Sequence, residues 1–473
     1  MKTLIGLEIH VELKTNRKMF CNCTNAFGDE PNTNVCPVCL GFPGALPIMN
    51  KEAILYAIRA GLAMHADISP VVKMDRKNYF YPDLAKGYQI SQEDRPLCAG
   101  GFVPIEVEGE EPKKIGLIRI HMEEDTGKAL HRSEGYTLMD YNRCGVPLIE
   151  IVTEPHMNSG KEARAFIEKL REILTALDIS DCKMEEGSLR CDCNINMVGD
   201  DGQKTAITEV KNIGSTRGVE LTVEYEEKRH RQMIERGEVG VKETRRWDEE
   251  AMETVLMRQK TSTLDYRFAQ EGDIPPFRLE EGFVEEIRRT LPELPDERKM
   301  RLQETYGLNE YDRDILGASL ELSQYFERLA EGIQDRKLVS NWVINELLRR
   351  TKEEDCTLDD LKFQVEDFRY LLELLAESKV NNNTAKKIFR EMFEEGTHPK
   401  TIVERDNLLQ VTDTSAIEEV VQKVIENNPE SIEDYRNGKD RAFGFLVGQV
   451  MKEGRGKFDP KVVNELLRKA LDI

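Results

Sequence analysis

Residues 6–13 alternate strictly between apolar and polar. Leu7, Ile9, Val11 and Leu13 fall on one face of an extended chain and Glu8, His10 and Glu12 on the other. The period predicts a strand with one buried side and one polar side. Three more runs repeat the design. In 115–123, Ile118, Ile120 and Met122 oppose Arg119, His121 and Glu123; in 148–154, Glu150 and Glu154 share a side. In 189–196, Leu189, Cys191, Cys193 and Ile195 oppose Arg190, Asp192, Asn194 and Asn196. Four such strands predict a curved sheet whose polar face is a charged site. Like charges lined along one face repel, and a bound cation is the simplest offset. Carboxylates with a single imidazole suit Mg²⁺ or Mn²⁺ better than zinc.

Beyond residue 290 the period changes. Leu291-Pro292-Glu293-Leu294-Pro295 reads as a linker, and helical spacing follows at 338–350 and 368–377. An N-cap at Asn383-Thr384 precedes a helix over 385–393 that ends at Gly396, and a last helix opens at Asp459-Pro460 and runs to Leu471. The expected fold class is α+β: a β-rich, cradle-like catalytic domain (1–292), an all-α helical domain (293–400) and a small helical tail domain (401–473).

Composition narrows the picture. At 473 residues the chain is too long for one core, and 39% hydrophobic with 33% charged residues is the balance of a well-folded soluble protein. No apolar run approaches the roughly 18 residues of a membrane span, and the N-terminus leads directly into the first strand, so a cytoplasmic protein is expected. The net charge of −21 disfavours nucleic-acid binding through the whole surface. The tail is the exception: residues 437–473 hold eight Lys/Arg (Lys439, Arg441, Lys452, Arg455, Lys457, Lys461, Arg468, Lys469) against five Asp/Glu. That tail is expected to bind RNA, with no DNA or membrane partner.

Cys21-x-Cys23 and Cys36-x-x-Cys39 place four of the ten cysteines within nineteen residues. The spacing fits a closed Cys₄ zinc site with a structural role. Cys191 and Cys193 lie on the apolar side of their strand and read as core. Residues 75–90 mix Arg76, Lys77 and Lys86 with Tyr79, Phe80, Tyr81 and Tyr88. Cations for phosphate and aromatic faces for bases suit a nucleotide or an unpaired RNA end. Glu209-Val210-Lys211-Asn212 adds a further cation. No phosphate-binding Gly-x-x-x-x-Gly-Lys-Ser/Thr loop, Gly-x-Ser-x-Gly elbow or His-Glu-x-x-His motif occurs. Any ATP must be held by metal and scattered Lys and Arg.

These segments together resemble the B subunit of the tRNA-dependent aspartyl/glutamyl-tRNA amidotransferases. The likeness runs through 5–13, the Cys-Pro-Val-Cys-Leu-Gly segment from Cys36, 76–83, 121–125, 147–150, 186–192 and 209–212, and the helical C-terminal half fits as well. The resemblance implies ATP- and Mg²⁺-dependent phosphorylation of the side-chain carboxylate of Glu-tRNA(Gln) or Asp-tRNA(Asn), followed by amidation. It implies an A subunit that makes ammonia from glutamine and a C subunit that clasps the two. On this reading Glu8, His10, Glu124 and Glu150 hold Mg²⁺. Lys77, Lys86, Arg190 and Lys211 meet the nucleotide and the tRNA end, and Glu124, Glu150 and Lys77 carry the chemistry. Glu123 rivals Glu124: strand alternation favours 123, the family pattern 124.

One segment departs from the family. After Asp265-Tyr266-Arg267 the family usually reads aromatic-Pro-Glu-Pro-Asp, whereas this chain has Phe268-Ala269-Gln270-Glu271-Gly272-Asp273. Position 193 is Cys where a small residue is usual. A rival reading is a non-catalytic tRNA-binding adaptor, which would not need Glu8, His10, Glu124 and Glu150 gathered around one point.

Overall fold

The computed structural model describes residues 1–259, 266–409, 414–436, 440–454, 458 and 460–471. It divides into two compact units, residues 1–294 and 295–473.

The first unit is built on a ten-stranded sheet. Seven of its strands concern the site: β1 (Lys2–Glu12), β2 (Lys113–Glu124), β3 (Pro147–Thr153), β4 (Leu189–Val198), β5 (Thr208–Lys211), β6 (Glu243–Asp248) and β7 (Glu253–Gln259). Their spatial order is β7-β6-β5-β4-β1-β3-β2, antiparallel throughout except for the parallel pair β5 and β6. The four strands expected from alternation are therefore contiguous neighbours, β4-β1-β3-β2. In β1 the inward residues Ile5, Leu7, Ile9 and Val11 are all buried. Each contributes roughly 1.5–3 kcal/mol by leaving water, which fixes the register: a one-residue slip would turn Glu8 and His10 into the core.

β2 does not alternate cleanly. A β-bulge opposite Val152 and Thr153 shifts the phase, and Ile118, expected inside with Ile120 and Met122, is 46% exposed. Beyond the bulge the period resumes, with His121 and Glu123 on the polar face.

The first unit also holds helices that the strand-rich reading passes over, chief among them α1 (Lys51–Ala63), α2 (Gly160–Ala176) and α3 (Thr216–Glu235). Each has a side-chain cap, from Asn50, Ser159 and Ser215 in turn. Gly160 permits the close crossing of α2 and α3, because a Cβ there would stand 2.5 Å from the carbonyl oxygen of Glu220.

A buried acid ties α3 to the far edge of the sheet. Glu226 accepts from Arg229 at 2.7 Å and lies 3.3 Å from His230 Nε2, while Thr254 in β7 donates its hydroxyl proton to the same carboxylate. Arg245 in β6 approaches at 3.5 Å.

The second unit is helical. The helix expected over 338–350 is continuous from Arg336 to Glu353 but carries a π-turn at Val343–Leu347. The helix expected over 368–377 is Val365–Ala376. The next is Asn382–Glu395, capped by Asn381 rather than by the Asn383-Thr384 pair, and Gly396 ends it in the left-handed region at φ 74°. The last helix is Pro460–Ala470. Asp459, Asp265 and the basic residues Lys439, Arg455 and Lys457 lie outside the described residues. Two hydrophobic clusters form in this unit, one drawn from 302–403 and one from 417–471.

The Glu226 network predicts an acid-sensitive edge. Burial would raise this carboxyl, but the hydrogen bonds from His230, Arg229 and Thr254 win and hold it at about 2, below the ordinary 4.5. A depressed acid contributes stability that is present above about pH 4.5 and is lost as pH falls toward 2, on the order of 3 kcal/mol in full. Thermal melts of Glu226→Gln against the native chain should differ most above pH 5 and converge near pH 2. A gap that stays constant with pH would contradict the assignment.

Candidate active site

The site is a ladder row. His10 on β1 pairs with Glu150 on β3, Glu150 pairs with His121 on β2, and His10 pairs on its other side with Arg190 on β4. Directly opposed residues in antiparallel strands project to the same face. The sheet therefore presents Arg190, His10, Glu150 and His121 side by side on its polar face. Glu8 stands two residues from His10 and Glu123 two residues from His121, on the same face.

The side chains converge. His10 Nε2 lies 3.2 Å from Glu123 Oε1 and 3.3 Å from Glu150 Oε2. His121 Nε2 lies 3.4 Å from Glu150 Oε2 and 3.8 Å from Glu123 Oε2. Burial alone would drive both imidazoles down. The hydrogen bonds and charges of Glu123 and Glu150 reverse that and raise His10 to about 10 and His121 to about 9. The same pairs overcome burial to hold Glu123 at about 2 and Glu150 well below the carboxylate range. Burial and the neighbouring Glu150 push Glu8 up. Donor atoms of Glu8, His10 and Glu150 all fall within 4.8 Å of one another, as do those of His121, Glu123 and Glu150. These are the residue types and spacings that hold a divalent cation.

A cavity of about 380 Å³ opens over this row. Glu8, His10, Lys77, Arg190 and Lys211 line it, together with Tyr79, Glu123, Asp125, Asp192 and Tyr266. Arg190 donates to Asp125 at 2.8 Å. Lys211 pairs with Asp192 and lies 3.3 Å from Glu209, and those charges outweigh burial to raise its pKa. The Lys77 ammonium stands 4.9 Å from the ring centre of Tyr266, a cation–π contact, and makes no ion pair among the described residues. The departing segment braces the strand that carries Lys77: Ala269 and Gln270 pair with Arg76 and Asp75, and Glu271 takes Arg76 bidentately at 2.7 and 2.8 Å.

Glu124 and Lys86 are not part of the gathering expected of them. Alternation turns Glu124 away from Glu123, and its carboxylate accepts from Lys86 Nζ and from the Ile90 backbone N–H at 3.0 Å. Glu124 is buried, Lys86 is nearly so, and neither lines the cavity. Of the four side chains expected together, Glu8, His10 and Glu150 gather, with Glu123 and His121 adjoining, while Glu124 stands apart. His121 shows the same alternating signal as Glu123 in the sequence. What hid it was the missing cross-strand register, which alone sets it opposite Glu150.

The four cysteines 21, 23, 36 and 39 also converge, with sulfurs within 4.8 Å of one another. Cys39 receives the Cys36 backbone N–H at 3.2 Å and its thiol is lowered to about 5, chiefly by the Cys21 hydrogen bond. Lys18 is fully buried and lies 3.8 Å from the Cys39 sulfur while donating to Asn34 O at 2.7 Å. Cys191 and Cys193 are core, and all ten cysteines are free.

Comparison with known proteins matches this layout. Residues 3–285 match the GatB/GatE catalytic domain, and residues 324–471 match the GatB domain of the second unit. The chain belongs to the GatB family. It is 52% identical over its full length to the B subunit of the aspartyl/glutamyl-tRNA(Asn/Gln) amidotransferase of Finegoldia magna, with all of both chains covered. It is 48% identical to the B subunit of the same name from Clostridium botulinum strain Okra, covering 98% of each chain. The family's catalytic region therefore spans the sheet, the cavity and the cysteine cluster. No described helix is long and apolar enough to cross a membrane.

The Lys86–Glu124 pair gives a direct test of burial energetics. Removing one partner strands a buried charge, a loss of about 3–5 kcal/mol, whereas replacing both with apolar groups is far milder. Lys86→Met should lower stability to denaturant by that amount, and Lys86→Met with Glu124→Leu should recover most of it. A single-mutant loss below about 1 kcal/mol would contradict the pairing.

Proposed function

We propose that this chain is the B subunit of an aspartyl/glutamyl-tRNA(Asn/Gln) amidotransferase and that its β-sheet cavity activates and amidates the side-chain carboxylate of Glu-tRNA(Gln) or Asp-tRNA(Asn). Family membership supports the reaction class. The observation that supports this site is the convergence of Glu8, His10 and Glu150 beneath a cavity edged by Arg190, Lys211 and Lys77.

The reaction brings anion against anion. A carboxylate oxygen attacks the γ-phosphorus of ATP, ADP leaves, and an acyl phosphate forms. Ammonia adds to the acyl carbon, gives up a proton, and inorganic phosphate departs. Catalysis in such transfers is mainly positioning and charge stabilisation. Arg190, Lys211 and Lys77 are suited to hold phosphate oxygens, and the tyrosines beside Lys77 offer faces for an adenine or the terminal base of the tRNA. The hard donor set Glu8, His10 and Glu150 fits Mg²⁺, which would neutralise phosphate charge there. Glu123 adjoins that set, whereas Glu124 is turned away from it. Glu124 and Lys86 act beneath the site as a buried pair. The four cysteines fit Zn²⁺ in a closed structural role.

Ammonia must come from elsewhere, because this chain lacks a serine-rich amidase signature. A glutaminase A subunit and a small C subunit are its partners, and the cytoplasm, where charged tRNA is made, is its place of work. The catalytic domain is assigned to 1–292. Residues 293–400 form a helical domain, and tRNA binding is assigned to the helical tail 401–473.

Reconstituted three-subunit complex supplied with ammonium, ATP and Mg²⁺ should convert Glu-tRNA(Gln) or Asp-tRNA(Asn). Glu150→Gln should reduce turnover by about 10²–10³-fold without loss of glutamine hydrolysis by the partner. Conversion unaffected by that change would place the chemistry elsewhere and favour the adaptor reading. Elemental analysis should find one zinc per chain, falling to near zero in Cys36→Ser; native protein free of zinc would contradict the metal assignment.

A further inference from the structure

Glu150 is flanked by two donor pairs, and Glu123 of the second also reaches His10 at 3.2 Å. On one side β1 offers Glu8 and His10; on the other, β2 offers His121 and Glu123. Both strands run antiparallel to β3, and both histidines sit directly opposite Glu150. The order of the pair is reversed, Glu-x-His on β1 and His-x-Glu on β2, so the two pairs are related by a pseudo-twofold through Glu150. Adjacent strands are about 4.8 Å apart. The histidine backbones are thus separated by two strand spacings, and the carboxylate between them reaches both imidazoles.

Among the described residues His121 makes no polar side-chain contact besides Glu150 and Glu123. It is 3% exposed, its Nδ1 has no hydrogen-bond partner, and its Nε2 points at Glu150 and Glu123. An apolar residue would fill that space without an unmet polar atom. Ligands bonded at about 2.1 Å to one cation stand roughly 3.0–3.4 Å apart. His121 Nε2 and Glu150 Oε2, at 3.4 Å, match that separation, as do His10 Nε2 and the same oxygen at 3.3 Å.

We propose that His121, Glu123 and Glu150 form a second divalent-cation site, joined to the Glu8–His10–Glu150 site through a shared Glu150 carboxylate. The proposal rests on the reading of this cavity as a phosphoryl-transfer site, where paired cations about 3.5–4 Å apart are a recurring arrangement. An imidazole with carboxylates suits a cation of the Mn²⁺ class, and Mn²⁺ has little preference for the thiolates of the cysteine cluster. Neither the match to the family nor the names of the relatives assigns His121 a role.

The test is Mn²⁺ titration of the full chain followed by electron paramagnetic resonance, counting bound ions by loss of the free-ion signal. The native chain is expected to bind two Mn²⁺, with a spin-coupled spectrum at saturation. His121→Gln should bind one, without the coupled spectrum, and Glu123→Gln should weaken that same ion at least tenfold. Glu8→Gln should instead spare the ion at His121. Should His121→Gln fail to fold, the native stoichiometry and Glu123→Gln carry the test. One Mn²⁺ in the native chain, unchanged in His121→Gln, overturns the second site and leaves the proposed function standing if ammonia-dependent conversion persists. No bound Mn²⁺ together with no conversion overturns both.

Discussion

A single buried carboxylate organises this molecule's active half. Glu150 lies on the middle strand of three, between an imidazole on each side, and can be accommodated there only because both neighbours answer its charge. That requirement fixes the register of β1 against β3 and of β3 against β2. The apolar undersides of the same strands fix it independently, since Ile9, Ile151 and Ile120 must stay in the core for His10, Glu150 and His121 to stay out of it. Packing and electrostatics thus specify one alignment, and the cavity with its basic rim follows from it. Arg190 enters the same row from β4, and Lys211 is brought near through β5.

The cysteine loop is wired to this row by backbone rather than by side-chain charge alone. Cys144 donates its thiol proton toward Cys39 O at 3.2 Å, and the Met19 N–H donates to Gly145 O at 2.7 Å. Gly145 and Val146 in turn exchange hydrogen bonds with Asp125, next to Glu124 at the end of β2. A metal closing the four thiolates would hold the start of this chain of contacts. The loop thereby steadies the strand end from which Glu123, Glu124 and Asp125 project.

Much of the site was legible because strands write their faces at period two. Glu8, His10, Glu150 and Arg190 could be assigned to one polar face from alternation, and the order β4-β1-β3-β2 unites the four strands so identified. Two things were not legible. Strand pairing is a long-range property, so nothing local sets His121 opposite Glu150. The family likeness favoured Glu124, whereas side-chain alternation turns that residue to Lys86. The bulge near Ile118 depends on the same long-range pairing, and the helices α1 to α3 were passed over although 51–63, 160–176 and 216–235 carry helix-forming Glu, Lys and Arg with a single Gly each. In the C-terminal half, cap and proline signals placed two helices, Asn382–Glu395 and Pro460–Ala470, within a few residues, whereas several others and the π-turn at Val343–Leu347 went unread.

The charge-bearing row centred on Glu150 has the donors and spacing of a cation site. Anomalous diffraction from crystals of the full chain soaked in Mn²⁺ tests it most directly. Density is expected within about 2.0–2.3 Å of both His10 Nε2 and the Glu150 carboxylate. Density at Glu124 with none beside Glu150, or no ordered ion on this face at all, would contradict it.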